Sequence, residues 1–265
     1  MRVAITQLTS TASVEDNYAA VAPLVAAAAA EGARLVAVPE CFAYMPPRAG
    51  ASAAVAEPLD GPLFRRYADL AARHNVWLSL GGFHERDGPD VYNTHAVVAG
   101  GDGRLVAAYR KAHLFDIALP DGTAFRESDT ISPGHELVAV ANTPAGTLGL
   151  STCYDIRFAG MYRALVGAGA TTLLIPAAFA VVTGRDHWAV LVRARAIEGG
   201  VPVVAAAQVG AHASDAPGNA RRCSWGHGLV VDSWGGGGGG YGRPQWSGGG
   251  GDPAQRGGAP HAPWS

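Results

Sequence analysis

The sequence predicts an α/β fold, with helices outside a sheet that contains some antiparallel hairpins, on three observations. Short β-branched runs alternate with longer helical stretches from residue 2 to about 232. Three successive strand candidates, 76–83, 92–99 and 105–109, are joined by Gly/Asp-rich turns with no helix between them, as hairpins are. The chain of 265 residues is 48% hydrophobic and only 16% charged, enough to bury a sizeable core.

The elements follow in order. Residues 2–8 alternate as a strand. Ser13 and Asp16 have the spacing of an N-cap and its capping-box partner, although Asp stands where Glu or Gln is usual; the helix they open runs to about Gly32. Residues 34–38 read as a buried strand. A second helix covers 61–75, with Leu63, Tyr67, Leu70 and Ala71 on one face. After the hairpin strands come a strand at 146–152, a helix at 159–168, a strand at 171–175, a helix at 185–198 and a strand at 202–207. The pattern stops at Trp234: residues 235–240 are all glycine, as are 248–251, and the remainder lacks periodicity. The division is a folded domain over 1–234 and a Gly-rich tail over 235–265, expected to be disordered or to arise from a reading-frame error or truncation.

Composition removes several function classes. The formal net charge is −2 and no Lys/Arg run occurs, which argues against nucleic acid. No apolar stretch reaches the roughly 18 to 20 residues of a membrane helix. Three cysteines, Cys41, Cys153 and Cys223, are too few and too scattered for a disulfide framework. A reducing, cytoplasmic setting is expected, with a mitochondrial form from an alternative start left open. Cys223 and His227 lack the second pair of a zinc site, and the stretch 100–103 lacks the Lys-Ser/Thr of a phosphate loop. No metal or cofactor is expected.

Three segments carry chemistry. Glu40 follows an apolar strand directly, where its carboxyl would face a cleft, and partial burial would raise its pKa toward that of a general base. Lys111 ends another strand and could aim an ammonium at a reacting oxygen. Cys153 lies where a strand runs into a helix, the logic of a nucleophile elbow, and a neighbouring positive charge would lower its thiol pKa. Taken singly, each has an ordinary structural reading: a loop-bonded Glu, a solvated Lys, a buried small hydrophobe. Cys41 reads as a packing residue.

In their order, Pro39-Glu40, then Tyr109-Arg110-Lys111-Ala112-His113-Leu114-Phe115-Asp116, then Cys153-Tyr154-Asp155-Ile156-Arg157-Phe158 resemble the three signature segments of the nitrilase, or carbon–nitrogen hydrolase, superfamily. The resemblance covers about residues 2–234. It implies a four-layer α-β-β-α sandwich, a Glu40–Lys111–Cys153 triad, and assembly into homodimers or larger homo-oligomers. It also implies supporting roles around a small-molecule amide for Glu127, Tyr154, Phe179, Thr183, His187 and Trp188, with the Tyr154 N–H helping to hold an oxyanion. The run 193–198 is expected to form structural ion pairs, and Arg157 either a pocket charge or a salt bridge. Residues 77–86, with Trp225-Gly226-His227, resemble the deaminated glutathione amidase branch. That branch implies hydrolysis to 2-oxoglutarate and cysteinylglycine through a thioester. The neighbouring ω-amidase branch, acting on 2-oxoglutaramate or 2-oxosuccinamate, shares several of these segments. A non-catalytic binding protein is the reading from another class.

Overall fold

The computed structural model describes residues 1–118, 124–212 and 222–237. In chain order the elements are β1 (Val3–Ile5), β2 (Gln7–Leu8), α1 (Val14–Ala30), β3 (Leu35–Val38), α2 (Pro62–His74), β4 (Trp77–Asp87), β5 (Asp90–Val98), β6 (Leu105–Arg110), β7 (Asp116–Ala118) and β8 (Ala124–Arg126). There follow β9 (Ala139–Thr143), β10 (Gly146–Leu150), α3 (Ala159–Gly167), β11 (Thr172–Leu174), α4 (Val181–Thr183), α5 (Ala189–Gly199), β12 (Val203–Ala205), β13 (Ala207–Ala211), β14 (Cys223–Trp225) and β15 (Leu229–Val231). The Ser13 hydroxyl accepts from the Asp16 N–H at 3.2 Å, as its cap spacing predicts.

Among the described residues two five-stranded sheets form, in the orders β1-β3-β4-β5-β6 and β15-β12-β11-β10-β9. Three apolar layers show how they stack. Val36, Val38, Leu78 and Leu80 pack with Val21, Val25 and Phe64 of α1 and α2. Leu35, Ala37, Val97, Leu148, Leu150 and Val204 fill the space between the sheets. Leu173, Val203 and Val231 pack with Leu165 and Val192 of α3 and α5. The fold is the four-layer α-β-β-α sandwich, because each sheet has one face for helices and one for the other sheet.

Two expected strands are each divided. The run 2–8 splits at Thr6, whose N–H and hydroxyl both go to the Ala37 carbonyl; β1 stays in the first large sheet while β2 pairs with β13. The run 202–207 splits at Ala206, placing β12 in the second large sheet and β13 beside β2. The resulting small sheet, β14-β13-β2, ties the two layers together beside the site. The helix expected at 185–198 begins instead as a widened turn, Gly184–Trp188, before α5. A Cβ on Gly184 would meet the Trp225 side chain at 2.3 Å, and Trp188 donates through Nε1 to the His227 carbonyl, so tertiary packing sets that turn. The expected ion pair in 193–198 is present: buried Arg195 pairs with Glu198 and donates to the Ile156 carbonyl. Apart from Gly235–Gly237, the expected disordered tail lies outside the described residues.

A bulge in β4 brings that strand's backbone against Glu40. Leu80 pairs with Ala96, but Phe83 pairs with Thr94, so one extra residue is inserted at Gly81–Gly82. Gly82 has φ +67°, and a Cβ there would lie 2.7 Å from the Glu40 Cγ. Gly82→Ala is therefore expected to lose stability, about 1–2 kcal/mol from the left-handed backbone alone, and to displace Glu40. A lowered thermal midpoint together with loss of the hydrolytic activity that the resemblance implies would be the signature; wild-type values of both would contradict it.

Candidate active site

Each of the three chemistry-bearing residues sits at the end of a strand, and all the strands open at one end of the sandwich. Glu40 follows β3, Lys111 follows β6 and Cys153 follows β10. The Lys111 ammonium donates to Glu40 Oε1 at 3.0 Å and to Glu127 Oε2 at 2.9 Å. Glu40 Oε2 receives the Ala178 N–H at 3.0 Å, and the Glu40 carboxylate is the hydrogen-bond acceptor of the Cys153 thiol. Residues 71 and 138 positions from Glu40 in sequence thus converge on one carboxylate. All three side chains are buried.

Cys153 turns the chain sharply, with φ +50°, and its N–H goes to the Pro176 carbonyl at 2.9 Å. This is the strand-to-helix elbow read from the sequence. The Tyr154 N–H, in the turn that follows, donates to no acceptor among the described residues.

The charge states differ from the simple expectations for a buried carboxyl and a thiol near a cation. Burial does push the Glu40 carboxyl upward, but the Lys111 charge and hydrogen bonds from Cys153, Lys111 and Asn93 outweigh it. The carboxyl is held well below the usual range. Burial likewise works against the Lys111 ammonium, yet Glu127 and Glu40 hold it protonated well above its usual value. The Cys153 thiol is raised rather than lowered, first by burial and then by the Glu40 charge, which prevails over Lys111. The resting site is a carboxylate, an ammonium and a neutral thiol. In this arrangement the carboxylate that could take the thiol proton is already in contact with it, and the thiol has no standing ionisation.

The supporting residues take distinct places. Glu127 is the second partner of Lys111, and its Oε2 also receives the Phe115 N–H at 2.7 Å. Tyr154, half-buried, packs edge-on against Phe115 and Phe158. Phe179 is buried against Trp188, whose ring is fully enclosed in the core beneath Cys153. Trp188 is therefore scaffold. Thr183 is half-buried in α4, and exposed His187 lies 3.3 Å from an Arg157 nitrogen. Arg157 makes no ion pair among the described residues; its guanidinium carbon stands 5.5 Å from the Phe179 ring and 5.8 Å from that of Tyr154. Cys41, with φ +57°, is buried with Met45 and Ala178, and burial raises its thiol to about 12, as befits a packing residue.

Two residues that the motif reading passed over hold the site together. Asn93 donates through Nδ2 to Glu40 at 2.9 Å and to Glu127 at 3.1 Å, linking the two carboxylates that share Lys111. Asp155, fully buried, accepts from the Tyr109 hydroxyl at 2.8 Å, from the His113 N–H at 3.0 Å and from the Thr152 N–H at 2.8 Å, and its Oδ1 lies 2.7 Å from His113 Nδ1. It fastens the lysine segment to the cysteine segment. A run of polar residues inside a strand, Asn93-Thr94-His95, was the available signal for the first. For Asp155 the local signal was its capping-box spacing from Thr152; its other partners, Tyr109 and His113, come from another segment.

A carbon–nitrogen hydrolase family model matches residues 2–237. The chain belongs to the carbon–nitrogen hydrolase family. Deaminated glutathione amidase of Bos taurus is 46% identical over 88% of this chain and 70% of its own length. The Homo sapiens protein of that name is 44% identical over 88% and 71%, and that of Yersinia enterocolitica 39% over 88% and 80%. Among solved structures, Caenorhabditis elegans NitFhit superposes with a TM-score of 0.79 at 39% identity; the match covers 88% of this chain and 56% of that longer one. Saccharomyces cerevisiae Nit3, of the nitrilase superfamily, gives 0.75 at 28% identity, with 88% and 82% covered. By its family and these relatives the chain is an amidase.

Proposed function

We propose that the chain hydrolyses deaminated glutathione to 2-oxoglutarate and cysteinylglycine through a thioester on Cys153. The observation that carries the chemistry is the single carboxylate, Glu40, in contact with both the Cys153 thiol and the Lys111 ammonium. The substrate rests on the names of the relatives at 39–46% identity.

In the first half-reaction the thiol sulfur attacks the amide carbonyl carbon and its proton passes to Glu40. The developing oxyanion faces the Lys111 ammonium and the Tyr154 N–H, which has no acceptor to give up among the described residues. The C–N bond then breaks, and Glu40 hands its proton to the departing amine. In the second half-reaction Glu40 takes a proton from water, hydroxide oxygen attacks the thioester carbon, and the C–S bond breaks. Sulfur regains its proton from Glu40, and the acid leaves. Glu127 and Asn93 keep Lys111 and Glu40 aligned throughout. Arg157, without an ion-pair partner among the described residues and set at the aromatic wall of Phe179 and Tyr154, suits the carboxylate of a 2-oxo acid.

The test is release of 2-oxoglutarate from deaminated glutathione and from 2-oxoglutaramate by wild type and by Cys153→Ala. A higher kcat/KM on deaminated glutathione, with the variant lower by about 10³-fold or more, is expected. Higher wild-type activity on 2-oxoglutaramate would assign an ω-amidase instead. A folded wild type inactive on both would overturn the proposed substrate.

A further inference from the structure

His84 of β4 takes part in none of the proposed steps, yet the bulge at Gly81–Gly82 turns it into the site. Leu78 and Leu80 face the helices, and strict alternation would send residue 84 the same way. The inserted residue reverses the phase: Phe83 joins the helix-side core, and His84 pairs with Asn93 on the opposite face. Asn93 in turn donates from that face to Glu40 and Glu127, and its carbonyl takes the Lys111 N–H at 2.8 Å. Lys111, Asn93 and His84 thus form one cross-strand row, each step about 5 Å. The other face holds a separate cluster in which Glu85 binds Thr94 and Arg110.

The His84 side chain is 6% exposed, and neither ring nitrogen has a hydrogen-bond partner among the described residues. The sealed, unpartnered side-chain polar atoms there are Tyr67 Oη, Asn93 Oδ1 and Thr152 Oγ1. The imidazole nitrogens are not among them. Tyr44, in the loop after Glu40, stands edge-on with ring centroids 6.0 Å apart; it is 8% exposed, and its hydroxyl is likewise neither bonded nor sealed. Two largely buried polar tips with no partner among the described residues can take an external one, since a desolvated polar group left unpaired is costly.

We propose that His84, with Tyr44, binds the amine-side portion of the substrate and so sets the preference for a secondary amide over a primary one. This rests on the proposed amide hydrolysis. Glu40 returns its proton to the leaving nitrogen, so the leaving group lies on the Glu40 side of the cleft, where β4 runs. Arg157, in the turn that begins at Cys153, and its aromatic wall are assigned the acyl end. Burial holds the imidazole neutral, with its pKa lowered to about 4, so it presents one donor and one acceptor. That set matches the N–H and C=O of a peptide-like amine. Ammonia leaving from a primary amide offers the pair nothing to hold.

The measurement is the ratio of kcat/KM for deaminated glutathione to that for 2-oxoglutaramate, in wild type, His84→Leu, His84→Asn and Tyr44→Phe. The ratio is expected to fall at least tenfold in His84→Leu, mainly through KM, and to recover in part in His84→Asn. Tyr44→Phe, which removes only a hydroxyl, is expected to lower it severalfold and serves if His84→Leu does not fold. A ratio within twofold of wild type in the folded variants, whether both activities fall or neither does, overturns this inference alone. Wild-type protein inactive on both amides overturns the proposed substrate and this inference with it.

Discussion

Replacing Glu40 by Gln is expected to lower kcat/KM by at least about 10²–10⁴-fold, the range of a general base, and most of the loss should appear in kcat. The reason lies in the resting charge states. The Cys153 thiol is held neutral by burial and by the Glu40 charge, so no preformed thiolate waits for substrate. Lys111 does not ionise it, because its charge is spent on Glu40 and Glu127. Removing the base therefore removes the contact that takes the thiol proton; the single carbonyl oxygen of Gln can keep the Lys111 hydrogen bond or that of Ala178, which go to different Glu40 oxygens, but not both. Unchanged kcat would show that the thiol is activated in some other way.

Lys111→Met is expected to produce the largest loss of stability, about 3–5 kcal/mol, because it strands two carboxylates that share one ammonium. Lys111 is 2% exposed and Glu40 4%, so water cannot take over the lost partner. The pH dependence should change sign. In the wild type, the Glu40 carboxyl is depressed in the folded state. It contributes stability above its unfolded value of about 4.5, and that contribution is lost as pH falls through the lower folded value. Without Lys111, burial becomes the dominant influence and raises the folded carboxyl above its unfolded value. The variant then binds more protons folded than unfolded, and its stability rises on acidification from neutral pH. Denaturant unfolding at pH 5 and pH 7.5 tests this directly: the deficit relative to wild type should shrink at pH 5. A deficit that stays constant or grows would mean that Glu40 finds another cation.

The legibility of this molecule follows from where its information lies. Ser13 caps α1, and Leu70 and Ala71 face the core, because caps and helical faces are set within a few residues. The cysteine elbow was legible for the same reason. The boundaries that failed were set at long range. Thr6 and Ala206 break strands because the chain must pass from a large sheet to the small one, and residues 184–188 widen because Trp225 presses on Gly184.

The sequence by itself determined the α/β alternation, the strand-end positions of Glu40, Lys111 and Cys153, and, through three motifs in order, the family. Their charge states were decided only by the tertiary structure. A carboxylate is held low, a lysine kept charged and a thiol kept neutral by partners 16 to 138 residues away, inside a largely buried site. The part of Asn93, the clamp of Asp155 and the inward turn of His84 are likewise properties of the assembled sheets. Cross-strand neighbours and a one-residue bulge determine which face a side chain meets; the Gly81-Gly82 pair and the polar run at 93–95 mark the places in local residue order, but not the partners met there.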